Sequence, residues 1–151
     1  MPEWVPLHMP GGDVDRGEVE ARAAELGQPE VRWPEVFPFD SRPAMLAATF
    51  AAQSGRGVAF SLAAMRQAFL GGRDLSVIDN VLIAAAACEL HPRAVLKGVQ
   101  SRGVAEALAA AGTRAAGLGV LAVPAVVSGG QTWTGTEAIE EVGRITSRMR
   151  S

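Results

Sequence analysis

The chain has one cysteine, no tyrosine and a single lysine, Lys97. A lone cysteine excludes an internal disulfide framework, and no Cys-x-x-Cys pair is present for redox or metal chemistry. The only histidines, His8 and His91, lie far apart with no third ligand beside either, against the spacings of zinc sites. No apolar run approaches the roughly 20 residues of a membrane span. The first residues, Met1 to Leu7, lack the charged, apolar and small-residue zones of a secretory signal, so the expected location is cytoplasmic. No basic stripe points to nucleic acid or a membrane surface as partner. There is no phosphate loop of Gly-x-x-x-x-Gly-Lys type and no nucleophile triad motif; Gly11-Gly12 and Gly71-Gly72 read as turns.

What remains is 151 residues with 48% apolar content and a net charge of −2, enough for a core of its own. Trp4-Val5-Pro6-Leu7 reads as a short strand confined by Pro6 to a sheet edge. Asp13 or Asp15 caps a helix running to Leu26, with Gly27 just past its end. A proline-punctuated loop follows, Pro29 to Pro43, of a length often functional in compact domains. Asp40 or Ser41 then caps a helix to about Gln53, and a second runs from about Val58 to Leu70. Ser76 opens a third, with Ile78, Val81, Leu82, Ala85 and Cys88 on one stripe. A break at His91-Pro92 leads to a short helix ending at Val99, and Ser101 caps another from Arg102 to about Ala116.

The stretch Gly117 to Gly135 organises the rest. Gly117 and Gly119 stop a helix, Ala125-Val126-Val127 is a short β-branched run, Gly129-Gly130 supplies a two-residue hairpin turn, and Trp133 belongs to the returning strand. Pro124 has no N–H for a sheet ladder and belongs at the strand's first residue. Its bond to Val123 is one of the few kinds that adopts the cis form; in the trans form the stretch is an ordinary hairpin. Thr134 or Thr136 then starts a last helix through Ile139, Val142 and Ile145.

This pattern resembles the cis-proline loop and closing β-hairpin of thioredoxin-fold proteins. In detail it resembles the branch with an inserted helical domain: the DsbA-type thiol–disulfide oxidoreductases, the 2-hydroxychromene-2-carboxylate isomerases and the kappa-class glutathione transferases. Phe37-Pro38-Phe39-Asp40-Ser41-Arg42-Pro43-Ala44-Met45 is similar to the start of that insert, Gly72-Arg73-Asp74-Leu75-Ser76 to a helix-joining turn within it, and Gly119 to Pro124 to the family's Gly-Val-x-x-Val-Pro. The resemblance implies an α/β fold: a thioredoxin-like sheet from residues 1–40 and 100–151 with an all-helical insert at 41–99. In such families the reactive residue begins the helix after the first strand, as the first cysteine of Cys-x-x-Cys or as a serine. Nothing before Trp4 matches that strand or helix start, so the expectation is a family member lacking its N-terminal strand and active-site motif. Its catalytic residues are unknown, and it would be poorly stable, associate through open sheet edges or rearrange Trp4–Leu7.

Three functions stay open on this reading. The first is a DsbA-like thiol–disulfide oxidoreductase domain, inactive as given. The second is a glutathione-dependent isomerase or transferase, and the third a non-catalytic peptide-binding or structural remnant. The resemblance implies a half-site at Val123 and Pro124, whose backbone pairs in relatives with a cysteinyl peptide or glutathione. Thr136 and Glu137 lie where relatives hold the γ-glutamyl end, at a helix N-terminus that favours a carboxylate. Glu137 would repel that carboxylate if it pointed inward, and Thr136 is most simply an N-cap. No metal and no cofactor is implied beyond glutathione as cosubstrate. Cys88, late in its helix and beside Glu89, reads as a structural cysteine. His8 is a candidate ligand contact by its place near the presumed site loop.

Overall fold

The computed structural model describes residues 2–9 and 11–150. The fold is mostly helical with one small two-stranded antiparallel sheet among the described residues. Contacts divide the chain into two compact units, one up to Leu108 and one from Ala109 onward.

The first unit is built on α2 (Arg42–Gln53), which packs against α3 (Gly57–Phe69), α4 (Ile78–Ala87) and α5 (Pro92–Val99). Its buried face is Ala44, Ala47, Ala48 and Ala51, an i, i+3, i+4, i+7 stripe of methyl groups that lets neighbouring helices approach closely. Phe60, Val81 and Val95 fill the centre and are fully buried. A second small cluster, Leu46 with Val104 and Leu108, sits under the start of α6 (Arg102–Gly117).

Helix α1 (Arg16–Glu25) begins at Asp15, whose carboxylate accepts from the Glu18 N–H at 3.0 Å. The proline-rich loop after it is held by an aromatic cluster. Trp33 and Phe37 lie 5.0 Å apart between ring centroids, and Phe69 from α3 meets both edge-on. The Arg16 guanidinium covers the Trp33 ring at 5.2 Å and donates to the Phe37 carbonyl, while the Trp33 indole donates to Glu20 at 2.7 Å. The Phe37–Pro38 bond is cis.

Two readings of the sequence are corrected. Trp4–Leu7 forms no strand; the Trp4 indole instead donates to the Ser61 hydroxyl of α3 at 2.9 Å. Ser76 does not open α4: its N–H and hydroxyl both turn back to Asp74, and the helix begins two residues later. His91 lies at a helix start, where its Nδ1 accepts from the Arg93 N–H at the head of α5.

The second unit holds the later part of α6, a loop, the hairpin and α7 (Ala138–Met149). Gly119, at φ 79°, closes α6 with paired bonds from its own N–H to Ala116 and from Val120 N–H to Ala115. Strands β1 (Ala125–Ser128) and β2 (Gln131–Thr134) pair with Val126 opposite Trp133 and Val127 opposite Thr132. Gly129 and Gly130 both have positive φ, the requirement of a type I′ turn. The Thr132 hydroxyl donates to the Leu118 carbonyl at 2.8 Å and ties β2 to the end of α6. Helix α7 packs on both strands.

Candidate functional site

The Val123–Pro124 bond is cis and lies immediately before β1. Gly135 N–H donates to the Pro124 carbonyl at 2.9 Å, so the residues ahead of β1 are fastened to those following β2. That one bond sets Pro124 against Gly135, the residue before Thr136 and Glu137 at the head of α7. All four are exposed, Val123 at 51%.

The head of α7 differs from the expected cap. Glu137, not Thr136, occupies the N-cap position, and its side chain makes no capping bond. The Ala138 N–H returns to the Gly135 carbonyl at 3.2 Å, while the N–H groups of Thr136 and Glu137 have no partner among the described residues. Unpaired amides at a helix head attract an anion. The acidic side chains of Glu137, Glu140 and Glu141 crowd the same end.

Among the described residues the second unit holds no cysteine. Cys88 belongs to the first unit, where it is buried at the end of α4 with its sulfur against the Ala84 and Ala85 carbonyls. Burial pushes its thiol pKa up, since the thiolate would lose its hydration. The folded chain therefore keeps the proton at a pH where the unfolded chain, titrating near 8.5, releases it. Above that pH the unfolded state binds fewer protons, so stability falls as pH rises. Urea midpoints measured from pH 7 to 10 should show a loss of up to about 1.4 kcal/mol per pH unit that is absent in Cys88→Ala. Equal slopes in the two proteins would contradict the buried, protonated thiol.

His8 is exposed in the first unit, with its Nδ1 3.4 Å from the Ser41 hydroxyl. Among the described residues no group of three His, Cys, Asp or Glu side chains is placed to hold a metal. Among the described residues no helix is long and apolar enough to cross a membrane.

No family profile and no curated protein matches the chain. Its fold is similar to the solved structure of a 2-hydroxychromene-2-carboxylate isomerase, with a TM-score of 0.79 at 14% identity over 89% of this chain. The chain spans 64% of that protein's length. The class so defined is that of the fold alone: mostly helical, with a small two-stranded antiparallel sheet.

Proposed function

We propose that the second unit carries the ligand-holding half of a thioredoxin-like thiol site. The main chain at Val123 and Pro124 takes the backbone of glutathione or a cysteinyl peptide, and the unpaired amides of Thr136 and Glu137 take its carboxylate. The observation that supports this most is the Gly135-to-Pro124 hydrogen bond, which sets the two halves of that surface side by side. In this reading residues 41–99 are the helical insert and residues 1–40 with 100–151 the thioredoxin-like part.

Of the two catalytic families, the isomerase or transferase branch that uses glutathione is favoured over the DsbA-like oxidoreductases, because the neighbour in fold is an isomerase. The residues of this surface are proposed to hold the ligand. A non-catalytic peptide-binding role rests on the same surface.

Calorimetric titration separates these readings. Glutathione and S-methylglutathione are expected to bind saturably, and Glu137→Gln should tighten both about two- to fivefold by removing a like charge from the helix head. A cysteinyl peptide that binds while glutathione does not would select the peptide-binding role. No saturation by any of the three, in either protein, would defeat the half-site.

A further inference from the structure

Helices α3 and α4 leave a trough along their seam. Arg56, just before α3, pairs with Glu89, just after α4, at 3.2 Å, so the two helices run in opposite directions. Ala63, Ala84 and Cys88 line the trough, and Leu62 and Ile83 stand along its two sides. Leu62 is 48% exposed and Ile83 53%. Val58 and Met65, four residues before Leu62 and three after it, are 62% and 50% exposed. These three give α3 an outward apolar stripe at helical spacing, separate from its buried residues Phe60, Ala64 and Ala68. Among the described helices and strands, α3 packs on α2 and α4 alone. Contiguous exposed apolar surface of this kind marks an interaction site.

The two ends of the trough differ in charge. Among the described residues Glu89 is the one carboxylate lining it, and Arg56 neutralises it. Arg66 lines the other end, ten residues along and about 15 Å away. It has no ion-pair partner among the described residues. An apolar strip therefore lies beside one unbalanced positive charge.

We propose that this trough is the docking site for an amphipathic α-helix of a partner protein, apolar on the face that enters and acidic on the flank. The small side chains of Ala63 and Ala84 let a third backbone approach to the 8–10 Å or so at which helices pack. Leu62 and Ile83 are the ridges between which its i, i+4 and i+7 residues seat. A carboxylate on its flank meets Arg66, and another, about three turns away, shares Arg56 with Glu89. Complementary charge of this kind selects acidic helices and turns basic ones away. A helix also explains the outer stripe. An acyl chain lying in the trough would leave Val58 and Met65 uncovered, since neither lines it, whereas a helix seated on the seam covers them.

The probe is a fluorescein-labelled synthetic peptide of about four helical turns, with leucines at i, i+4 and i+7, glutamates beside them and alanine elsewhere. A second peptide has lysine in place of each glutamate. Anisotropy titration with the full chain should show saturable binding of the acidic peptide and about tenfold weaker binding of the basic one. Ile83→Glu sets a charge against the apolar face and should weaken the acidic peptide more than about tenfold. Arg66→Glu should weaken it about three- to tenfold. Arg93→Glu reverses an exposed charge on α5 that does not line the trough, and should leave binding within about twofold. Glu89→Gln releases Arg56 and should tighten binding about two- to fivefold, a gain that damage to the fold does not imitate. All four substituted side chains are exposed.

The proposal is overturned if the acidic peptide does not saturate, if the basic peptide binds as well, or if Ile83→Glu and Arg66→Glu bind like the parent chain. Saturable binding of dodecanoate with none of the peptide would overturn it in favour of an anionic amphiphile. Sedimentation showing a dimer that Ile83→Glu dissociates would overturn it in favour of a second copy. Glutathione enters none of these measurements, so the outcome is separable from that of the thiol half-site.

Discussion

Phe60→Ala is expected to cost the helical unit about 3–5 kcal/mol. Phe60 is fully buried in α3, and the core cluster it belongs to is made largely of alanines, among them Ala47, Ala51, Ala64 and Ala68. A cavity shrinks when neighbouring side chains swing into it. Methyl groups on close-packed helices have no torsion with which to do so, which places the loss toward the upper end of the range. Against a typical stability of about 5–15 kcal/mol, that is enough to leave a sizeable unfolded population. Urea denaturation followed by circular dichroism measures it. Leu62→Ala, two residues along the same helix but half exposed, should change stability by no more than about 0.5 kcal/mol. Similar losses at both positions would show that the core is not where α3 places it.

Gly98→Ala is expected to destabilise by about 1–3 kcal/mol, opposite in sign to what helix propensity predicts. Gly98 is inside α5, where alanine would ordinarily gain about 1 kcal/mol. A Cβ at this position would stand 2.5 Å from Cδ2 and 2.6 Å from Cγ of Phe50 on α2. These are atoms at the root and flank of a ring, not the tip of a flexible chain. Phe50 packs against both hydrophobic clusters, so it cannot turn aside without disturbing one of them. Gly112→Ala is the matching control: it lies within α6, a Cβ there meets nothing within 4 Å, and it should stabilise by about 0.5–1 kcal/mol. Phe50→Leu should restore part of the loss in Gly98→Ala. If Gly98→Ala stabilises as Gly112→Ala does, the α2–α5 approach is looser than described.

These effects also mark what could be read in advance. Helix ends were legible where glycine takes the left-handed position, as at Gly27, Gly55 and Gly119. Glu89 takes the same position at φ 63° and closes α4 with bonds from Glu89 N–H to Ala86 and Leu90 N–H to Ala85. No propensity of glutamate signals that. Helix starts were less legible, because Ser76 and Thr136 have the chemistry of caps but Asp74 and the Gly135 turn take over the local hydrogen bonding. Trp4–Leu7 failed as a strand because four residues of mixed pattern say little, and a long-range bond to Ser61 decided their course.

The hairpin was readable from its β-branched run and paired glycines, since both act locally. The aromatic cluster of Trp33, Phe37 and Phe69 was not, because it exists only once α3 meets the proline-rich loop. Of the candidate site, Val123, Pro124, Thr136 and Glu137 could be named in sequence. That Gly135 joins them, by donating to Pro124, required the register of β1 against β2.

The thiol half-site is tested most directly by amide spectra of the 15N-labelled chain during a titration with S-methylglutathione, whose capped sulfur removes redox side reactions. The expected result is a saturable shift of the Val123, Gly135, Thr136 and Glu137 amides, with Cys88 and its neighbours on α4 unmoved. Shifts confined to the first unit, or none at all, would contradict it.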